Sequence, residues 1–401
     1  MVGLLEDPME SWGSDPSIGF VSTYPPTVCG LANFTASLLG AISENRGARD
    51  GLGVVALADS ASSIPVGDVV YRHERGNQAS LATAIDHINA FDVVSIQHEF
   101  GIFGGTDGDE AVEIAAALEA PAVVTFHTVL NHPSDHQRAI IERLALITAR
   151  SVVMSRTAQH RLTARYGIDP DRVEVIPHGA DARFSGPSLA SGDRPLVLTW
   201  GLIGPGKGLE TSIEAFAGLT DLHPLPRYLI AGATHPNVRE SYGESYRDSL
   251  VALVHELGLG KIVEFDDRYL DRAVLARLVR SADLVVLPYE SIEQVTSGVL
   301  VEAIAASKPV IATAFPHALE LLAGGAGITV PHGDPAALGA ALRSVLTDGR
   351  LAARMQRHTR RLKRGRYWPS IGQKYDKLMS TVAFGDRSKA THPVGIHRVG
   401  R

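Results

Sequence analysis

One cysteine in 401 residues, Cys29, excludes an intramolecular disulfide and fits a reducing compartment. No apolar run approaches the roughly 18 residues of a membrane span. The opening MVGLLEDPMESWGSDPS has neither the basic nor the apolar region of a signal peptide. A soluble, cytoplasmic protein without stable membrane insertion is therefore expected. Positive charge is not in excess either: 38 Lys and Arg against 44 Asp and Glu give a net charge of −6, which argues against a nucleic-acid partner. No metal cluster stands out among the 16 histidines. His132 and His136 have helical spacing, but no cysteine or carboxylate is read as a ligand beside them, so no metal site is expected there and a metal requirement is left open. The Walker pattern G-x-x-x-x-G-K-[ST] is absent, as is the dinucleotide fingerprint G-x-G-x-x-G, which disfavours NAD. There is no internal repeat and no low-complexity block.

What is present is a long alternation of apolar strand-like runs and helical patterns. The chain exceeds the roughly 250–300 residues that one core can serve, so two domains are expected. The first series has strand-like runs at 18–22, 53–58, 66–71, 93–97, 122–127, 151–155 and 172–176, with helical patterns at 31–43, 78–90, 108–118, 134–148 and 155–166. The second has runs at 196–200, 227–231, 262–265, 284–287, 310–313 and 327–330, with helices at 208–219, 242–257, 270–282, 299–307 and 335–347. Such alternation predicts an α/β protein built on parallel sheets with helices on both faces. The division read from composition is a disordered N-terminus (1–16), a first domain (17–183), a linker rich in Gly, Pro and Ser (184–194), a second domain (195–366), a helical segment (369–383) returning to the first domain, and a tail (384–401). The basic helix 351–366 reads as a solvated face.

Doubly wound sheets bind ligands beyond the carboxyl ends of their strands, which directs attention to six stretches. In 285-VVLPYESIEQVTSGVLVEAIAASKPVIAT-313, Thr296 and Ser297 stand at N-cap positions, Gly298 permits a close approach to the backbone, and the helix start suits a phosphate. Glu302, one turn on, is placed to accept from hydroxyls beside that phosphate; a phosphate plus a diol describes a ribonucleotide, although an ordinary capped helix would read the same way. In 198-LTWGLIGPGKGLETSIEAF-216, glycines including Gly204 free backbone amides for phosphate, and Lys207 supplies charge. The loop 24-YPPTVCGLANF begins with Tyr24 and opens a helix at Gly30. The segment 97-QHEFGIFGG-105 puts His98 and Glu99 at a strand end, a ligand or acceptor contact. In 123-VVTFHTVL-130, His127 ends an apolar strand, either as a satisfied core histidine or as a site residue. The turn 176-IPHGAD-181 reads as a structural part of the crossover.

Taken in order, YPPxxCG, FHT, IPHGAD, GPGKG and TSGVLVEAIAxxKPVIAT resemble the family-4 retaining glycosyltransferases over about residues 18–375. The resemblance implies the GT-B fold, two Rossmann-like domains facing across a cleft, with a nucleotide-sugar donor, a carbohydrate acceptor and no other cofactor. It places Gly30 near the donor diphosphate and acceptor, with Tyr24, His98 and Glu99 on the acceptor side. His127 falls near the donor sugar's 6-position, Lys207 on the diphosphate, and Glu302 on the ribose diol as second glutamate of an E-x7-E motif. The amides of Thr296 and Ser297 are implied at the sugar, and those of Gly298 and Val299 at phosphate. Two positions depart from the family. Gln294 stands where the first glutamate belongs, with Glu293 beside it, so either Gln294 takes over that sugar contact or Glu293 moves in. Leu202 and Ile203 follow Gly201 where an arginine is usual, and Arg268 or Arg272 are candidates to compensate. The resemblance is to mannosyltransferase-like bacterial members of polysaccharide pathways. Mannose from GDP-mannose is thus the first donor implied and UDP-glucose or a related hexose the second; a sugar-nucleotide epimerase or a silent nucleotide-sugar-binding protein are the alternatives.

Overall fold

Runs such as Leu284–Leu287 are buried at every position, and a strand buried on both faces needs helices above and below it, hence parallel pairing. The computed structural model, which describes residues 15–61, 64, 66–189 and 192–385, contains two such sheets. The first is built from β1 (Ile18–Ser22), β2 (Leu52–Ala58), β3 (Val69–Glu74), β4 (Val93–His98), β5 (Ala122–Phe126), β6 (Arg150–Val153) and β7 (Val173–Val175). The second holds β8 (Leu196–Trp200), β9 (Arg227–Ala231), β10 (Val263–Asp266), β11 (Leu284–Leu287), β12 (Val310–Thr313) and β13 (Gly327–Val330). The first runs β3-β2-β1-β4-β5-β6-β7 and the second β10-β9-β8-β11-β12-β13. All named pairs are parallel, with Val21 beside Val55 and Ile96, and Trp200 beside Ala231. Both orders reverse next to their first strand, at β1/β4 and β8/β11, where a crevice opens between loops that leave in opposite directions.

Several expected elements shift. The strand sought at 66–71 lies at Val69–Glu74, because Gly67 adopts a left-handed φ of 61° and turns the chain first. The helix sought at 242–257 becomes Pro236–Tyr242 and Ser245–Glu256, divided at Gly243. The short helix Pro316–Leu322 had no sequence signal beyond its proline. Residues 1–14 and 386–401, where a disordered start and a tail were expected, lie outside the described residues. Of the stretch 184–194, Ser188 accepts from Lys308 Nζ at 3.1 Å and Leu189 N–H donates to the Arg280 carbonyl, both of which tie it to the second domain.

The domains touch through specific polar contacts. Glu320 on Pro316–Leu322 accepts from the N–H groups of Arg156 and Thr157, each at 2.9 Å, at the start of helix Arg156–Tyr166. A carboxylate facing unpaired amides and the positive end of a helix is stabilising. Val295 enters the apolar core of the first domain. Helix Trp368–Phe384 lies along helix Gly30–Arg46, fixed by Arg46 Nη2 to Asp376 at 2.5 Å. No helix among the described residues is long and apolar enough to cross a membrane.

Candidate active site

The segments leaving β1, β4, β5, β7, β8, β9, β10 and β11 surround a cavity of about 780 Å³ between the domains. On the second-domain wall, β8 ends at Trp200 and the chain turns through 201–208. Gly208 has φ of 64°, and a Cβ there would fall 1.9 Å from the Pro288 carbonyl, so only glycine lets the two loops meet. This presents Lys207 to the cavity with its ammonium 4.8 Å from the Tyr289 ring centroid. Among the described residues no carboxylate pairs with it, and burial holds its pKa below the ordinary lysine range.

The loop after β11 leads to helix Gly298–Ala305, capped by the Ser297 hydroxyl, which accepts from Leu300 N–H at 3.2 Å. The first intrahelical bond runs from Val301 to Ser297, so the amides of Gly298 and Val299 stand ahead of the ladder, at the cavity wall. The Ser297 amide, implied at the sugar, donates instead to Nδ1 of buried His317 at 2.8 Å and is already satisfied. The Thr296 hydroxyl lines the same wall, buried and without a partner among the described residues.

Glu302 accepts from Trp200 Nε1 at 3.1 Å and from Arg272 Nη1 at 2.6 Å. Of the two arginines put forward as compensating, Arg272 thus enters the cavity. Arg268 is exposed, paired with Asp266, and outside it. The Glu293–Gln294 alternative also separates. One carboxylate oxygen of Glu293 accepts from Asn131 N–H and from Arg161 Nη1, both at 2.7 Å, so Glu293 joins the domains. The Gln294 side chain has no partner among the described residues and lies at the cavity wall.

On the first-domain wall, Gly30 begins its helix under the Cys29 cap. His127 Nε2–H donates to Gln97 at 2.9 Å and the ring meets Phe34 edge-on, with centroids 4.7 Å apart. Burial lowers its pKa to about 3, aided by His178 and His98. Thr128 donates to Glu99 at 2.5 Å, and burial raises the Glu99 carboxyl. His178 donates from Nδ1 to the Gly179 carbonyl at 2.7 Å, which leaves Nε2 a lone pair. That Nε2 would sit 3.0 Å from a Cβ at Gly298, so the glycine permits the two domains to approach here.

Three residues assigned to the site from sequence are elsewhere. His98 is fully buried among Phe100, Phe103 and Phe126, because β4 alternation turns it into the sheet's apolar face. Tyr24 packs in the first-domain core with its hydroxyl on Asp68 at 2.6 Å. Gly204 faces Val238 and His235 and does not line the cavity. Conversely His178, in the turn read as structural, lines it beside Trp368. The position of His178 just past the carboxyl end of β7 was the available signal; Trp368 arrives from the far end of the chain and had none. Tertiary structure also brings Asp107 and Asp109 to opposite ring nitrogens of His136, whereas His132 meets Asn131, and no group of three side chains placed to hold a metal ion forms among the described residues.

Comparison with known proteins agrees with this geometry. Residues 60–184 match the model described as Glycosyltransferase Family 4, and residues 182–362 that described as Glycosyl transferases group 1. A D-inositol 3-phosphate glycosyltransferase of Kineococcus radiotolerans is 30% identical over 285 residues, 64% of this chain and 65% of that protein. The protein of that name from Frankia alni is 29% identical over 57% of this chain and 60% of its own length. The match therefore spans less than two thirds of these relatives. Among solved structures, Anabaena HepE with UDP superposes with a TM-score of 0.70 at 19% identity, over 91% of this chain and 100% of that one. Sucrose-phosphate synthase from Thermosynechococcus elongatus gives 0.69 at 19%, over 90% and 97%. These two share the fold. The chain belongs to the family-4 glycosyltransferases and has their GT-B architecture.

Proposed function

We propose that the protein transfers a hexosyl group from a nucleoside diphosphate sugar to a hydroxyl of a sugar or cyclitol, with retention of anomeric configuration. The observation that carries this is one cavity in which an unpaired ammonium, Lys207, and the leading amides of helix Gly298–Ala305 converge on the second-domain wall. These groups suit the negative charge that grows on the β-phosphate as the anomeric C–O bond breaks. Glu302, fixed by Trp200 and Arg272, is the candidate for the ribose diol, and the Thr296 hydroxyl and Gln294 amide are candidates for the sugar's hydroxyls. Mannose from GDP-mannose is the first donor to try and UDP-glucose or a related hexose the second. The curated relatives are named for D-inositol 3-phosphate, which makes a cyclitol hydroxyl an acceptor to set beside sugars.

Each carboxylate at the cavity already has partners: Glu293 has Arg161 and Asn131, Glu302 has Arg272 and Trp200, and Glu99 has Thr128. None is left as an obvious nucleophile. We take the reaction as a front-face displacement, in which the acceptor oxygen bonds the anomeric carbon from the side the phosphate leaves, and the departing phosphate oxygen takes the acceptor's proton. The test is nucleoside diphosphate release from GDP- and UDP-sugars with and without acceptors, followed by product NMR. Acceptor-stimulated release and a retained anomer are expected; an inverted product would sink the front-face route. Replacing Arg272 by Ala strips Glu302 of its cation and should raise the donor KM about tenfold, the scale of one charge-assisted hydrogen bond, with a smaller change in kcat. An unchanged donor KM would remove Arg272 from the nucleotide site.

A further inference from the structure

The charges at the cavity are divided unequally between its walls. Lys207 and Arg272 are its only lysine or arginine among the described lining residues, and both stand on the second domain. The first-domain wall presents Asn33, Ser37 and Thr128 as neutral hydrogen-bonding groups, His127 and His178 as rings held uncharged by burial, and one carboxylate, Glu99. Among the described residues no first-domain lysine or arginine lines the cavity: Arg161 is engaged with Glu293 and the Val129 carbonyl, Arg72 with the Pro25 carbonyl, Arg75 with Asp59, and Arg49 with Asp68. An anion bound against this wall would lose water, meet no cation, and face Glu99, whose burial is already costly; an unpaired buried charge is heavily penalised. Hydroxyls, in contrast, can donate to Glu99 and exchange hydrogen bonds with Asn33, Ser37 and Thr128.

We propose that the acceptor is an uncharged polyhydroxy compound, an unphosphorylated sugar or cyclitol held against Glu99 and Thr128. This rests on the glycosyltransferase reading and selects within it, since phosphate monoesters, D-inositol 3-phosphate included, are excluded from the acceptor wall. The two carboxylate oxygens of Glu99 are spoken for only by Thr128 and by the Phe100 amide at 3.1 Å, and each retains accepting capacity for a substrate hydroxyl.

The experiment compares matched acceptors with the whole 401-residue chain: myo-inositol against D-inositol 3-phosphate, and mannose and glucose against their 6-phosphates. Two readouts are used, nucleoside diphosphate release with the donor that supports turnover, and saturation-transfer NMR of each acceptor in the presence of the nucleoside diphosphate. A neutral compound is expected to exceed its phosphate ester by at least about tenfold in kcat/KM, and to give the stronger NMR transfer. Glu99→Gln, which keeps a hydrogen-bonding group toward Thr128, should narrow that ratio several-fold. Equal or better use of a phosphate ester overturns the proposal. So does the absence of binding by every neutral compound, and a ratio that Glu99→Gln leaves unmoved. Failure of the parent reading would look different: no nucleoside diphosphate binding and no donor cleavage under any condition.

Discussion

Replacing Lys207 by alanine is expected to lower kcat by about a hundred- to a thousandfold, the range seen when one preorganised donor to a developing oxyanion is removed. The reason is positional. Lys207 is held at the cavity by a turn that only glycine at 208 allows, it rests on Tyr289, and it has no carboxylate partner among the described residues to dilute its field. Its burial costs charged-state solvation, a cost that a bound diphosphate would offset. Since an arginine is missing near Leu202 and Ile203, Lys207 stands without a second cation from its own loop. The same isolation makes the change mild for the fold: what is lost is a cation–π contact of about 0.5–2 kcal/mol, so Tm should fall by no more than several degrees. Steady-state kinetics of the variant with the identified donor, alongside thermal unfolding, make the check. Wild-type kcat in a folded Lys207→Ala protein would remove this lysine from the chemistry.

The second large effect is loss of stability in mild acid. His98 and His317 are 0% and 2% exposed, and burial lowers each pKa to about 3. His98 has rings of Phe100, Phe103 and Phe126 around it and neither nitrogen bonded; His317 uses Nδ1 to accept the Ser297 amide, which a proton there would break. Both groups titrate near 6.5 when unfolded. The unfolded chain therefore binds protons first as pH falls, so stability is complete above about pH 6.5 and declines below it toward about pH 3. Between pH 7 and 5.5 each histidine contributes a loss of roughly 1 kcal/mol, and the pair roughly 2–3 kcal/mol. His127 and His178 have depressed values too, but they line the open cavity, where water tempers the effect, and they add less. The expected fall in Tm over that interval is about 5–10 °C. His98→Phe should flatten the profile by one proton's worth, and a Tm constant from pH 7 to 5.5 would show that these histidines are not held neutral. For His317 the loss has a local consequence, because its bond to the Ser297 amide is one of those that fix the loop carrying Thr296, Ser297 and Gly298.

The alternation of apolar runs and amphipathic helices determined the fold class and, to within a few residues, all thirteen strands found among the described residues, because period and burial are local properties of the chain. It also determined six of the loops that face the cavity, since parallel strands must end on a common edge, but not those after β9 and β10. Lys207, Gly298, Val299 and Glu302 were legible because each combines a residue type with a special backbone position: a turn, a helix start, one helical turn further on. Side-chain direction and long-range partners were not legible. Whether His98 or Glu99 turns toward the cavity depends on one residue of strand register against helices elsewhere in the chain. Glu293 and Gln294 are adjacent in sequence, yet Arg161, 132 residues away, claims one and leaves the other to the cavity. Arg272 reaches Glu302 only after the second sheet has assembled, and Trp368 joins His178 only when the last helix crosses back to the first domain. Local chemistry determined most of the loops that border the cavity; packing between the domains decided which side chains face it and which way the charge is divided.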